Sequence, residues 1–261
     1  MKTMVNFLSL IILVGIFSLL TGCSPCYYVP NAQNVPVFSE KGQANGALSF
    51  QFGPLSTGAN VQLALALTDH IGLMANYNHF SGRGESGTWY GDDYSSTSKS
   101  NMGEAGLGYY HPFQNKMVFE TYAGIGASEI NTEYERWDGD GSSSVHTTCY
   151  FIQPSIAYYK KNIRLAFSSR FRVINYRDIT YNSMLGEGAK LGLIDLQQNP
   201  AYAFFEPAFT FRAGGEKVKF QVQAGFSVIL DQSYVMEYDP VNINIGIVFS
   251  LPGKKKREAG Q

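Results

Sequence analysis

Residues 218–230 alternate without a break. Val218, Phe220, Val222, Ala224, Phe226, Val228 and Leu230 fall on one side of an extended chain, and Lys219, Gln221, Gln223, Gly225 and Ser227 on the other. A helix would scatter these two sets around its circumference, whereas a strand, with its period of two, separates them. The same rhythm runs through Val61, Leu63, Leu65 and Leu67, through Ile163, Leu165, Phe167, Phe171 and Val173, and through Val241, Ile243, Ile245, Ile247 and Phe249. Less regular runs lie near 44–53, 70–80, 99–111, 117–131, 146–159 and 200–213. Together they predict about ten strands, many reaching the ~9 to 11 residues that a tilted strand needs to cross a membrane. No segment shows a competing helical period.

The connections carry a second constraint. Thr68-Asp69-His70, the turn from His111 to Lys116, Lys160-Lys161-Asn162 and Ala213-Gly214-Gly215-Glu216 are short, while 81–98, 132–145, 177–199 and 231–239 are longer and polar or rich in Gly. Short and long connections alternate, with 53–57 as a short one among the long set. In an up-and-down meander, every second connection lies at the same end. All the short turns are therefore expected at one end and the long loops at the other, as in barrels with short periplasmic turns and long outer loops.

These features resemble the small outer-membrane β-barrel proteins of Gram-negative bacteria. The resemblance covers residues 44–251 and rests on pattern, with no single motif. It implies an all-β, antiparallel, up-and-down transmembrane β-barrel of about ten strands. A lipid-anchored soluble sandwich or a lipocalin-like barrel also alternates, with the apolar face turned inward. Small residues on the polar faces (Gly106, Gly108, Gly124, Gly126), aromatics near strand ends (Tyr77, Phe80, Tyr109, Tyr110, Tyr158, Tyr159) and the loop asymmetry favour the membrane form.

The N-terminus reads as a secretory signal: Lys2, an apolar run from Phe7 to Leu20, then small residues. Leu20-Thr21-Gly22-Cys23 resembles the lipobox of bacterial lipoproteins. That resemblance implies a cleaved signal at 1–22 and a covalent diacylglycerol and acyl chain on Cys23, with no other cofactor expected. Ser24 is not the Asp that retains some lipoproteins at the inner membrane, so the outer membrane is expected. Residues 23–43, with Pro25, Pro30 and Pro36, read as an extended periplasmic tether. Residues 252–261 read as a basic periplasmic tail carrying Lys254, Lys255, Lys256 and Arg257. Of the 20 basic side chains only Lys2 lies in the signal, leaving 19 against 21 acidic ones, so the mature chain lacks the basic surplus that a nucleic-acid partner requires. A disulfide between Cys26 and Cys149 is not expected.

Alternation sends Glu104, Glu120, Arg164, Arg170, Arg172, Glu206 and Lys219 into the lumen. Charges of both signs in a narrow lumen must pair, because an unpaired ion there costs several kcal/mol. An ion-pair cluster around Arg170 and Glu206 is therefore expected to plug and stiffen the barrel. His79 and Ser81 share one face, and their spacing looks like the His-x-Ser of outer-membrane lipid A deacylases, but Gly82 replaces that family's following Asn. Glu85 and Asp92 are the nearby acids. An omptin-like protease would need an Asp-His dyad that does not follow Asp92-Asp93. His70, His79, His111 and His146 fall at different strand ends, so no metal site is expected. Trp89, Tyr90, Tyr94, Tyr134, Trp137, Tyr181 and Tyr234 in the long connections are candidates for binding a partner. The sequence thus leads to a non-enzymatic barrel lipoprotein in contact with outer-membrane lipid and, through its loops, with another outer-membrane protein complex. A narrow solute channel and an interfacial acyl hydrolase are the alternatives.

Overall fold

The computed structural model describes residues 26–86, 94–113, 116–135, 139–182, 184–230 and 238–253. Their strands are β1 (Ala44–Phe52), β2 (Ser56–Ala66), β3 (Ile71–Ser86), β4 (Tyr94–Phe113), β5 (Met117–Glu135), β6 (Gly141–Tyr159), β7 (Ile163–Tyr181), β8 (Ala201–Gly214), β9 (Val218–Phe226), β10 (Val228–Ile229) and β11 (Val241–Leu251). One helix, α1 (Glu187–Gln198), joins β7 to β8. Consecutive strands from β1 to β9 pair antiparallel, β9 pairs with β11, and β1 pairs with β11, which closes the sheet. β10 keeps the register of β9 against β8 beyond Ser227, so the eleven elements make ten staves.

The orientation of the two faces decides what surrounds this barrel. Leu48, Phe50, Leu63, Ile125, Ile152, Phe167, Phe209, Phe220 and Ile247 point outward and are about half exposed, while Gln51, Gln62, Glu120, Gln153, Arg170, Gln221 and Asn244 point inward and are buried. A water-soluble barrel has the opposite arrangement, because apolar side chains left in water forfeit their burial energy. The fold is that of a transmembrane barrel.

The outer edge of the apolar belt can be placed by register. His79, Asn101, Glu129, His146 and Arg177 are successive partners across β3 to β7 and all face outward. Toward the short turns the outward residues on β5 are Ala127, Ile125, Ala123, Thr121 and Phe119; toward the long loops they are Asn131, Glu133 and Glu135. β6 changes in the same way, from Tyr150 and Ile152 to Thr148, His146, Ser144 and Ser142. From Phe119 to Glu129 is ten residues, about 33 Å along a strand and about 25 Å of height at a typical tilt of ~40°. That is the height expected of an outer-membrane apolar band.

β3 to β7 therefore continue as strand above the belt, through much of what the sequence assigns to the long connections 81–98 and 132–145. Their polar outward residues there face water. The third long connection also differs from expectation, because it contains α1, whose Ala189, Leu193 and Leu196 are buried together with Leu185. Among the described residues, no helix is long and apolar enough to cross a membrane.

A larger correction concerns residues 23–43, expected to be a periplasmic tether. Residues 26–38 are buried throughout and lie inside the barrel. A Pro- and Asn-rich peptide suits solvent because its polar backbone needs partners, and a wall of amide side chains supplies the same partners.

Leu48 stands at the middle of β1 on the outward face, 56% exposed. Leu48→Arg is expected to destabilise the folded barrel in phospholipid by about 2 to 4 kcal/mol. Unfolding titrations in liposomes check this, and an unchanged midpoint would contradict the assignment of that face to hydrocarbon.

Candidate functional site

The lumen is filled by one strand-like segment and the side chains that bind it. A lone extended segment has no neighbouring strand to complete its hydrogen bonds, and buried peptide groups left unpaired are costly. Wall side chains take the place of a ladder. Gln51 Nε2 donates to Pro30 O at 2.8 Å, Gln62 Nε2 to Ala32 O at 2.8 Å, Gln223 Nε2 to Gln33 O at 2.9 Å and Gln153 Nε2 to Asn34 O at 2.7 Å. Arg212 Nη1 donates to Val35 O at 2.8 Å and Asn45 Nδ2 to Pro36 O at 2.7 Å. In the other direction, Ala32 N donates to Asn60 Oδ1 at 3.2 Å and Gln33 N to Gln223 Oε1 at 2.7 Å. Val37 N and Phe38 N both donate to the Glu120 carboxylate, at 3.0 and 2.9 Å. Pro30 and Pro36 have no N–H to satisfy.

At mid-lumen the segment meets the charged cluster. Arg172 pairs with Glu104 and approaches Glu206 at 3.8 Å, and Arg170 Nη1 lies 3.5 Å from Glu104. Asn31 joins them: its Nδ2 donates to Glu104 at 2.8 Å, and its Oδ1 accepts from Arg170 at 2.7 Å and Arg172 at 2.9 Å. The Tyr28 hydroxyl donates to Glu206, and Gln153 Oε1 accepts from Arg170. The plug is therefore bonded to the charged wall, and two arginines balance two carboxylates. Arg170 and Glu206 are register partners on β7 and β8, but the carboxylate within 4 Å of Arg170 is Glu104, across the lumen.

Below this cluster, Glu120 holds the segment near the short-turn end together with Arg212, whose parity on β8 matches that of Glu206 and which the same alternation therefore makes lumenal. Arg164 is half-buried at this level, and Lys219 donates to the carbonyls of Gly215 and Glu216 in the β8–β9 turn. Phe38 packs with Tyr110 and Tyr122, where a Cβ on Gly72 would come within 2.6 Å of Tyr122 Oη and 3.2 Å of the Phe38 ring. At the long-loop end, Tyr27 and Tyr28 join Tyr134, Tyr176, Tyr202, Phe204 and the buried face of α1 in one aromatic cluster. Tyr28 bridges Tyr238, and Asp239 N donates to Tyr28 O at 2.9 Å. Burial pushes the Asp239 carboxyl up to about 6, against hydrogen bonds from Ser56 and Leu55 that act the other way.

His79 and Ser81 share the outward side of β3, and His79 Nδ1 lies 2.8 Å from Asn101 Oδ1, in the row at the belt's edge. Its bonded neighbour is thus a neutral amide. Asp92 and the side chain of Glu85 lie outside the described residues, as do Trp89, Tyr90, Trp137, Tyr234, the side chain of Tyr94, Cys23 and residues 254–261. Tyr134 is buried inside the mouth and Tyr181 is exposed. Cys26 and Cys149 are both buried, and neither is in a disulfide. Among the described residues, no three His, Cys, Asp or Glu side chains gather as a metal site.

No protein-family model matches the chain, and no curated protein matches it in sequence. Solved structures align with it over most of its length. The outer membrane protease OmpT of Escherichia coli is 9% identical over 80% of this chain and 94% of that one, with a TM-score of 0.47. An outer membrane channel from Pseudomonas putida F1 is 13% identical over 84% and 100%, with a TM-score of 0.40. The N-terminal β-barrel domain of Pseudomonas aeruginosa OprF is 10% identical over 81% and 99%, with a TM-score of 0.32. A protease and a channel both appear among them, so these similarities do not choose an activity.

Glu104→Gln would leave two buried arginines facing one carboxylate. It is expected to cost about 3 to 5 kcal/mol, the range for breaking a buried ion pair. Urea unfolding in detergent micelles measures this, and an unchanged midpoint would show that Glu104 is not the charge that holds the cluster.

Proposed function

We propose that the protein is an outer-membrane barrel lipoprotein that neither conducts nor catalyses, and that it serves as a structural or partner-binding component. One observation carries this reading: residues 26–38 occupy the lumen and are bonded to Glu104, Glu120, Glu206, Arg170, Arg172 and Arg212. A solute would have to break several of these bonds to pass. Interaction is assigned to the long-loop end, where Met184 and Leu191 beside and on α1 are 54% and 64% exposed. Outer-membrane lipid surrounds the belt, and another outer-membrane protein complex is the partner class. The signal at 1–22 and acylation of Cys23 supply the anchor.

A narrow channel is the second reading. What favours it is that every described bond between plug and wall is noncovalent, so displacement of the segment would expose a lumen lined by Arg, Glu, Asn and Gln. Planar-bilayer recording separates the two. The purified protein is expected to give no steady unitary steps, and steps that Arg170→Ala alters or abolishes would overturn the plugged reading. Mass analysis of membrane lipid from expressing cells is expected to show unchanged acylation with both the native chain and His79→Ala. Loss of an acyl chain only when His79 is intact would make the protein a hydrolase.

A further inference from the structure

The direction in which the N-terminal segment runs decides which side of the membrane the mature N-terminus occupies. Phe38 lies against Gly72, near the start of β3 at the short-turn end, and Glu40, Lys41 and Gly42 follow at that rim. Cys26 lies against Gly82 and packs with Val29, Leu55 and Phe80. Gly82 is three residues beyond His79, past the outer edge of the apolar belt, and it pairs with Ser56 at the mouth. From Gly72 to Gly82 is ten residues, about 33 Å along a strand. Between Glu40–Gly42, where Lys41 N donates to Asp69 at 3.3 Å on the short-turn rim, and Cys26 beyond the level of His79, the segment therefore traverses the height of the belt.

Three residues separate Cys23 from Cys26, and an extended chain spans at most about 11 Å over that distance. The belt is about 25 Å tall. Cys23 is thus out of reach of the inner face.

We propose that the chain before Cys26 leaves the barrel at the long-loop end. The mature N-terminus then stands on the cell surface, and the acyl group of Cys23 enters the outer leaflet. The acyl group rests on the lipoprotein reading above; the threading does not. Cys26 itself lies beside Leu55, in the short hairpin turn at 53–55 between β1 and β2, where the wall is low. The lumen is too full for an acylated end to be drawn through afterwards. Residues 26–43 must therefore lie in place before β1 meets β11, the pairing of first and last strands that closes the sheet.

The test uses single cysteines and a membrane-impermeant maleimide on cells expressing the full chain. Cys26 and Cys149 are buried, and an acylated Cys23 has no free thiol. The native chain labelled in parallel therefore gives the background, and Cys23→Ala carrying Ser24→Cys removes it where the acyl group is lacking. Asp140→Cys marks the long-loop end and Asn162→Cys the short-turn end, both exposed sites. Ser24→Cys is expected to label on intact cells, as Asp140→Cys does, while Asn162→Cys labels only after permeabilisation. Labelling of Ser24→Cys together with Asn162→Cys, or protection of Ser24→Cys in both conditions, would overturn the threading. A clickable palmitate analogue, fed to the same cells, is expected on the molecules whose Ser24→Cys is labelled from outside. Its absence there would refute the lipid anchor and leave the threading standing.

Discussion

A narrow polar lumen cannot stay empty of partners, and the architecture follows from how its hydrogen bonds and charges are satisfied. The apolar sets of ten staves face outward, which commits the polar sets to a space too small for bulk water to fill. Arg170, Arg172, Glu104 and Glu206 meet there and neutralise one another, with Asn31 of the N-terminal segment accepting from both arginines and donating to Glu104. Removing a partner from such a network costs more than the network contributes over an apolar core, because the remaining charge stays buried. The same logic explains Gln51, Gln62, Gln153 and Gln223: each has an amide long enough to replace the missing strand neighbour of the plug.

The outer surface is organised as sharply as the lumen. The row His79, Asn101, Glu129, His146 and Arg177 separates apolar from polar outward residues on five successive strands. Above it the barrel wall continues into water and encloses an aromatic cluster sealed by α1. His79 belongs to this row, which accounts for a polar side chain on an outward face at this point of β3. The closed lumen and the built outer end are the two features on which the proposed interaction role of the long-loop side rests.

Much of the fold is legible in the sequence, because alternation reports directly on two faces with different surroundings. Closure rests on the resemblance to outer-membrane barrels and is seen in the pairing of β1 with β11. Strand number and the lumenal side of Arg170, Arg172 and Glu206 follow from alternation itself. Three features do not. The upper halves of β3 to β7 lose the apolar set on their outward side, as in Glu129, Asn131, Glu133 and Glu135, so the pattern there resembles a polar loop. Around α1 the spacing of Leu185, just before the helix, and of Ala189, Leu193 and Leu196 within it is helical, yet it is short and interrupted by Gly188 and Gly192. Residues 26–38 have the composition of a solvated linker, and only the surplus of long amides facing the lumen hints that something must lie against them. Which carboxylate each arginine meets depends on neighbours across the barrel, which strand order cannot reveal.

Hydrogen exchange by mass spectrometry on the native protein in detergent micelles tests the central claim most directly. If residues 26–38 are bonded inside the lumen, the amides of Ala32, Gln33, Val37 and Phe38 exchange as slowly as those of the barrel strands. Complete exchange of this segment within seconds, as for an unstructured tether in solvent, would contradict the account.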